Sequence, residues 1–420
     1  MFQGAILKRG GGTAAAISLT FGAITLMTGT EAATAAGPFM APVLVGSGAS
    51  EPGVHVAPDG TVYVEGPVGF ASNLPGSPSA LWRSGDAGAS WVRTPDSLRA
   101  NQPGGGDSTL SIDPSGNLAW GDLWLGASTV GKSTDKANSW LAQPLGGLPV
   151  QDREWLGSTT SSVYLTYHQI PGGIVVSRSV DGGVTYPVTT SAATVVDQTG
   201  CVCPPGNLIA EDGGLLGDRV GVIFSTSTGG VGFSRSSNSG LTFSVSSVSP
   251  AGSADTGLAF PVVANAGGGH LYATWLEVAG NSSSVHFSSS GDWGATWSAP
   301  RTIVGGGTSV YPWVAASGSK VSVSLYWNSG SATPDTTASG VSWFESYLES
   351  ADGGATFSAL STVDPTAVKT GPICTSGINC SGNRQLGDFQ SVAIDGAGRA
   401  NVAYNRVNGS VTEVRFCRQS

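Results

Sequence analysis

An eight-residue stretch, Ser290-Gly291-Asp292-Trp293-Gly294-Ala295-Thr296-Trp297, reads S-x-D-x-G-x-T-W and recurs in degenerate form through almost the whole chain. The other copies run from Ser84 to Trp91, Ser133 to Trp140, Ser179 to Tyr186, Ser236 to Phe243 and Ser350 to Phe357. Successive copies lie about 46 to 60 residues apart, within or a little above the periods of propeller arrays. Each follows one apolar run and leads into another, as a turn joining two strands must. The Asp carboxylate can accept backbone N–H bonds across such a turn, and the Gly two residues later supplies positive φ. The closing aromatic can then pack back between sheets. Six copies constrain the chain to a repetitive all-β array.

A second periodicity precedes each copy: an apolar strand, a Gly-containing turn and an alternating strand. In the first unit these are residues 53–57, Pro58-Asp59-Gly60 and residues 61–65, with a third strand over 79–83. The first strands of units two to six are expected at 109–113, 155–159, 207–210, 261–264 and 313–316. Each unit is a four-stranded antiparallel meander with alternation of period two. A seventh unit, over residues 391–417, has three strands and no turn motif. Pro42 to Val45 stands alone before the first unit and could supply the missing strand. Pairing the two ends closes a ring and removes both exposed sheet edges. The expected fold is therefore an all-β, seven-bladed β-propeller over residues 51–420, with the closing strand in residues 36–50. A six-bladed ring, with the last unit completing another sheet, is the alternative.

Residues 1–35 read as a cleavable signal peptide. Lys8 and Arg9 precede an apolar run from Thr13 to Met27, and Ala33-Thr34-Ala35 is a small-residue cleavage site. The run is short for a membrane span, so export to the extracellular space is expected, with no membrane contact after cleavage. The formal charge is -9 and only 11% of residues are charged. With no basic patch in sequence, this argues against nucleic acid or anionic membranes as partners. The 63 glycines fall mostly at turns, and 40% hydrophobic content suffices for a core. A monomer is expected. Five cysteines in an exported chain imply at least one disulfide and one thiol left over. Cys374 and Cys380, bracketing a short Gly-containing loop, are the preferred pair. The state of Cys201, Cys203 and Cys417 stays open, since a bridge between residues two apart is strained and either could pair with Cys417.

The turn motifs resemble the Asp boxes, or bacterial neuraminidase repeats, of the sialidase superfamily. Four copies match closely, at Asp86, Asp181, Asp292 and Asp352; the copy at Asp135 lacks the Gly and the copy at Asn238 replaces the Asp. The resemblance covers six of seven units and implies a propeller whose boxes sit on outer turns, remote from substrate. It further implies three arginines gripping a substrate carboxylate, a Tyr–Glu nucleophilic pair and an Asp acid. The chain departs from that pattern at the first arginine, where a Phe/Tyr-Arg-Ile-Pro sequence is replaced by Ser50-Glu51-Pro52-Gly53.

In a propeller the innermost strand of each blade starts on one face of the central channel, so side chains there converge. The residues just before the first strands are Glu51, Asp107, Asp152-Arg153-Glu154, Tyr311, and Arg384 with Asp388. Arg153 and Arg384 could clamp a substrate carboxylate or sulfate bidentately, with Glu154 beside them. A pair among Glu51, Asp107, Asp152 and Asp388 could act as acid and base or nucleophile in glycoside cleavage. Tyr311 could be a sialidase-type nucleophile if a carboxylate beside it takes its proton. The alternative is that these groups salt-bridge one another and close the mouth. Trp155 and Trp313, with Trp124 and Trp343, could line a saccharide groove or pack in the core. No cofactor or metal ligand set is expected, although an acidic ring could hold calcium. The four histidines suggest no site, and no nucleophile elbow is present. Two functions remain open: a sialidase-like exo-acting glycoside hydrolase on terminal sugars, and a non-catalytic propeller binding a glycan, glycoprotein or other protein at the same mouth.

Overall fold

Alternating apolar runs become antiparallel meanders, and seven of these sheets follow one another along the chain. The computed structural model describes residues 36–68, 78–95, 104–124, 126–145, 151–169, 173–193, 205–250, 252 and 259–420. The innermost strands of blades 1 to 7 are Gly53–Val56, Asp107–Ile112, Gln151–Ser158, Pro205–Glu211, Val262–Asn265, Thr308–Ser317 and Ser391–Ile394. In blade 6 the outermost place is shared by Ser361–Thr362 and Lys369–Thr370, both paired with Ser342–Ser350. The expected signal segment, Cys201 and Cys203 lie outside the described residues.

The ring closes as the strand count requires. Val43–Ser47 pairs antiparallel with Val411–Arg418, matching Val43 to Phe416 and Ser47 to Glu413, so the N-terminal strand completes blade 7. Between blades 7 and 1, Ser391 Oγ accepts from Val54 N at 2.7 Å and donates to Pro52 O at 2.9 Å. Seven blades, not six, make the ring.

The repeated turns are tied by their own side chains. Ser290 Oγ donates to Asp292 Oδ1 at 2.8 Å and accepts from Gly294 N at 2.9 Å. Asp292 also accepts Thr296 N at 2.9 Å and Thr296 Oγ1 at 2.6 Å, and these bonds hold its carboxyl at about 2. Asn238 accepts Thr242 N at 3.0 Å in the same way and donates Nδ2 to Thr242 Oγ1 at 2.9 Å, so the amide reproduces the clasp with one bond reversed.

In three of the turns the Gly also forms a flat seat for an aromatic ring of the preceding blade. A Cβ on Gly88, Gly294 or Gly354 would overlap Phe416, Phe233 or Phe287 respectively. The closing aromatic then meets the same ring edge-on: Trp91–Phe416 at 5.1 Å, Trp297–Phe233 at 5.4 Å and Phe357–Phe287 at 5.1 Å. The copy without Gly obeys the rule by compensation. Ala137 takes φ 64°, and the residue three before the box Ser of the preceding blade is Leu81 rather than Phe. Both are buried in one cluster with Tyr63 and Trp120. Blade 7 has no box, and Phe39 covers Tyr347 of blade 6 instead, edge-on at 5.0 Å.

Two strand starts differ from expectation. In blades 3 and 6 the innermost strand begins several residues earlier, at Gln151 and Thr308. A register shift between Asp152 and Trp155, and another between Val310 and Trp313, breaks the alternation that would mark these residues as strand. The pair Cys374–Cys380 is bridged as expected, with Cα atoms 6.0 Å apart. Cys417 is a buried free thiol rather than a partner for either earlier cysteine.

Candidate functional site at the channel mouth

The register shifts place three side chains. Arg153 and Tyr311 sit inside the bulges at φ 45° and 53°, and Glu51 lies just ahead of the blade 1 strand at φ 51°. Left-handed φ at a non-glycine costs about 1 kcal/mol or more, and bulges re-aim side chains near the rim of a sheet. Glu51-Pro52, Phe260-Pro261 and Tyr311-Pro312 occupy related places ahead of or within their innermost strands.

Five of the sequence-selected residues meet through direct contacts. Glu51, 1% exposed, accepts Arg153 Nη1 at Oε2 over 3.3 Å, faces Arg384 Nη2 at Oε1 over 3.6 Å, and accepts Asp388 N at 3.1 Å. Arg153 Nη1 lies 3.3 Å from Asp107 Oδ1. Arg384 holds Asp388 bidentately, with Nε donating to Oδ1 at 3.2 Å and Nη2 to Oδ2. Gly387, at φ 70°, is required beside this network, because a Cβ there would overlap the Glu51 side chain. Arg153 and Arg384 thus converge on one protein carboxylate, Glu51.

The groups differ in their access to water. Asp388, Arg384 and Asp107 side chains are 23%, 17% and 13% exposed, whereas Arg153 is 2% exposed. Asp152 is partly exposed, and burial with the Asp107 charge nearby pushes its carboxyl up to about 6. Burial, then Asp388 and Asp107, push Glu51 above the ordinary carboxylate range against the pull of both arginines. Glu154 lies against blade 2, where a Cβ on Gly121 would lie 3.5 Å from its Cγ. It is fully buried, neither carboxylate oxygen has a hydrogen-bond partner, and burial raises its pKa strongly. Burial of this kind disfavours the charged form of a carboxyl.

Tyr311 does not meet the condition set for a phenolate nucleophile. Its hydroxyl donates to Cys374 O at 3.4 Å, and burial followed by the Asp388 charge raises its pKa further. Trp155 and Trp313 pack with Phe260 and Phe389 in an aromatic plug, and Trp155, Trp313 and Phe389 also line the adjoining cavity. Their rings meet at 5.5 Å for Trp155–Trp313, 5.3 Å for Trp313–Phe389 and 5.7 Å for Trp155–Phe260. The Arg153 guanidinium lies 3.8 Å from the Trp155 ring centroid and 4.6 Å from that of Phe389, a cation–π arrangement that compensates its burial. That cavity, of about 340 Å³, runs along the innermost strands and is bounded also by His55, Ile112, Asn207 and Ile394. Trp343 is core, its Nε1 donating to Gly371 O at 2.8 Å. Among the described residues, no group of three or more His, Cys, Asp or Glu is arranged to hold a metal ion.

Phe260 and Phe389 escaped the sequence reading because aromatic residues beside apolar runs resemble core. The repeated X-Pro at the strand start would have singled out Phe260, and adjacency to Asp388 would have singled out Phe389.

Blade count and mouth chemistry define a class: a seven-bladed β-propeller whose channel entrance is charged and whose channel is plugged by aromatic rings. No protein-family model and no curated protein sequence matches the chain. Among solved structures, it is similar to an α-L-arabinofuranosidase from Fusarium graminearum in complex with an iminosugar inhibitor, at 12% identity and TM-score 0.51, over 91% of this chain and 98% of that one. It is similar to a polysaccharide lyase bound to an ulvan unit, at 13% identity and TM-score 0.50, over 91% and 94%. It is also similar to YCF48 bound to D1 peptide, at 12% identity and TM-score 0.50, over 93% and 99%. At such identities the shared property is the fold, and the fold alone does not assign chemistry.

Proposed function

We propose that this is an exported, carbohydrate-active propeller, sialidase-like in its repeats, that cleaves a glycosidic bond of a terminal sugar at the channel mouth. The observation that carries the reading is Asp152, a partly exposed carboxyl pushed up to about 6 within reach of the Asp107 and Asp388 charges. Glycoside cleavage needs a carboxyl that holds its proton near neutral pH as general acid, with a second carboxyl nearby. Asp152 donates its proton to the glycosidic oxygen as the C1–O bond breaks and its electron pair goes to that oxygen. Asp388 or Asp107 stabilises the positive charge that develops at C1, and water adds there, returning its proton to the Asp152 carboxylate. Glu51 touches no substrate in this scheme; it fixes Arg384 and, through it, Asp388. Two of the similar structures hold sugar-like or sugar ligands, which accords with a glycan as partner.

The test is a panel of fluorogenic glycosides, sialosides included, assayed with the wild type, Asp152→Asn and Asp388→Asn. Turnover that falls at least 100-fold in Asp152→Asn supports the scheme; no turnover on any glycoside overturns it. The second reading is a binding propeller with no chemistry. It is favoured by Glu51, which occupies the two arginines that a catalytic carboxylate clamp would need free, and by the peptide held by one propeller of similar fold.

A further inference from the structure

The mouth is not balanced in charge, and the imbalance bears on what it accepts. Asp107, Asp152 and Asp388 all reach solvent at least in part, while the two guanidiniums near them are already engaged. Arg384 is gripped by Asp388 through two nitrogens and faces Glu51 as well. Arg153 is shielded by Trp155 and Phe389, and its Nη1 is shared by Glu51 and Asp107. Its Nε is a donor without a partner, but it is buried and carries no access for a ligand. Among the described residues, a ligand carboxylate or sulfate arriving here meets three carboxyl groups and no uncommitted cation. Like charges at a few ångströms oppose binding, and displacing Asp388 from Arg384 would strand a carboxylate. A hydroxyl group meets the opposite situation, since carboxylates are strong acceptors for O–H donors.

We propose that the mouth selects uncharged sugars, whose hydroxyls donate to Asp107, Asp152 and Asp388, and rejects sugars bearing a carboxylate or sulfate. This rests on the carbohydrate reading given above and narrows its substrate class. It separates the chain from the anion-gripping chemistry that its repeats would imply, for a reason visible at one position: the place expected to hold an arginine holds Glu51. Asp388 is the specificity-determining residue, because its carboxylate both accepts sugar hydroxyls and neutralises Arg384.

The test measures binding on a glycan array of matched pairs, each neutral oligosaccharide beside its sialylated or uronate-terminated counterpart, with the full chain at low ionic strength. Neutral members are expected to bind at least ten-fold better than their acidic partners. Asp388→Asn, checked for an unchanged fold by its thermal melt, removes the carboxylate that Arg384 grips with two nitrogens and one negative charge from the mouth, and should raise acidic-glycan binding at least five-fold. Arg384→Gln should leave the acidic members as weak as in the wild type. Acidic glycans that bind better than neutral ones, and lose binding in Arg384→Gln, would overturn the charge selection while leaving a carbohydrate site in place. Binding of neither class would overturn both this inference and the reading beneath it.

Discussion

Arg153 and Glu51 stand 102 residues apart in sequence, in blade 3 and ahead of blade 1, yet Arg153 Nη1 lies 3.3 Å from Glu51 Oε2 with both side chains at most 2% exposed. A buried pair of this kind is weak evidence of net stabilisation, but breaking it from one side is costly. Glu51→Ala leaves Arg153 with only Asp107 and the Ser108 carbonyl, which accepts Nη2 at 3.4 Å, under its aromatic cover, and should cost about 3 kcal/mol. Glu51→Gln keeps an acceptor and should cost less. Urea unfolding measures both. A loss under about 1 kcal/mol in Glu51→Ala would mean that Asp107 and the Ser108 carbonyl together satisfy the guanidinium.

Asp152 predicts a pH dependence of stability. Its carboxyl is raised to about 6 in the fold, against about 3.9 in an unfolded chain. The folded state therefore holds this proton more tightly, so the stability it contributes is complete below about pH 4 and is lost as pH rises through about 6. Asp152→Asn removes the cost of ionisation. The variant should be more stable than wild type by about 1–2 kcal/mol at pH 7, after allowance for partial exposure, and no more stable at pH 4. Urea midpoints at the two pH values decide it, and equal differences at both would show that Asp152 is not raised.

Leu81 and Ala137 predict an energetic coupling between neighbouring blades. At Gly88, Gly294 and Gly354 a Phe sits on the box glycine, while here a shorter Leu shares a cluster with an Ala. Leu81→Phe overfills the site and should cost about 2 kcal/mol. Ala137→Gly opens a small void but relieves the left-handed Ala, and should be close to neutral on its own. Together they recreate the arrangement of Phe233 and Gly294, so the double variant should recover at least about 1 kcal/mol relative to additivity. Simple additivity in the double-mutant cycle would refute the seat model of the turn.

These couplings mark what the sequence made legible. The seven blades could be read because one turn, tied by Ser, Asp and Thr side chains, needs the same residue types at each repeat. The closing strand could be read because the last unit lacked one. Glu51, Asp107, Arg153, Arg384 and Asp388 stood out because charge is scarce in this chain. Their pairing did not. A bulge changes the facing of every residue beyond it, so neither the positive φ of Arg153 and Tyr311 nor the placing of Glu154 against Gly121 of blade 2 follows from alternation. The plug was hidden for another reason: Trp155 and Phe389 have the residue types of a core and serve as the floor of a mouth.

Gly46 gives a test of ring closure that leaves the mouth untouched. The closing strand has a register shift between Leu44 and Gly46, and at Gly46 a Cβ would overlap the indole of Trp82 in blade 1. Val45, one residue earlier, is buried in the same cluster as Trp82, Val414 and Phe416. Gly46→Val cannot be accommodated unless the indole or the strand moves. If the strand moves, Val411–Arg418 loses its partner and blade 7 presents an open edge. The expected cost is about 2–4 kcal/mol. Hydrogen exchange should show faster exchange at Val43, Val45, Val414 and Phe416 than at the strands of blade 4, on the opposite arc of the ring. Uniform loss of protection through all blades would indicate that the ring opens cooperatively. Unchanged protection in blade 7 would show that the N-terminal strand is not what closes it.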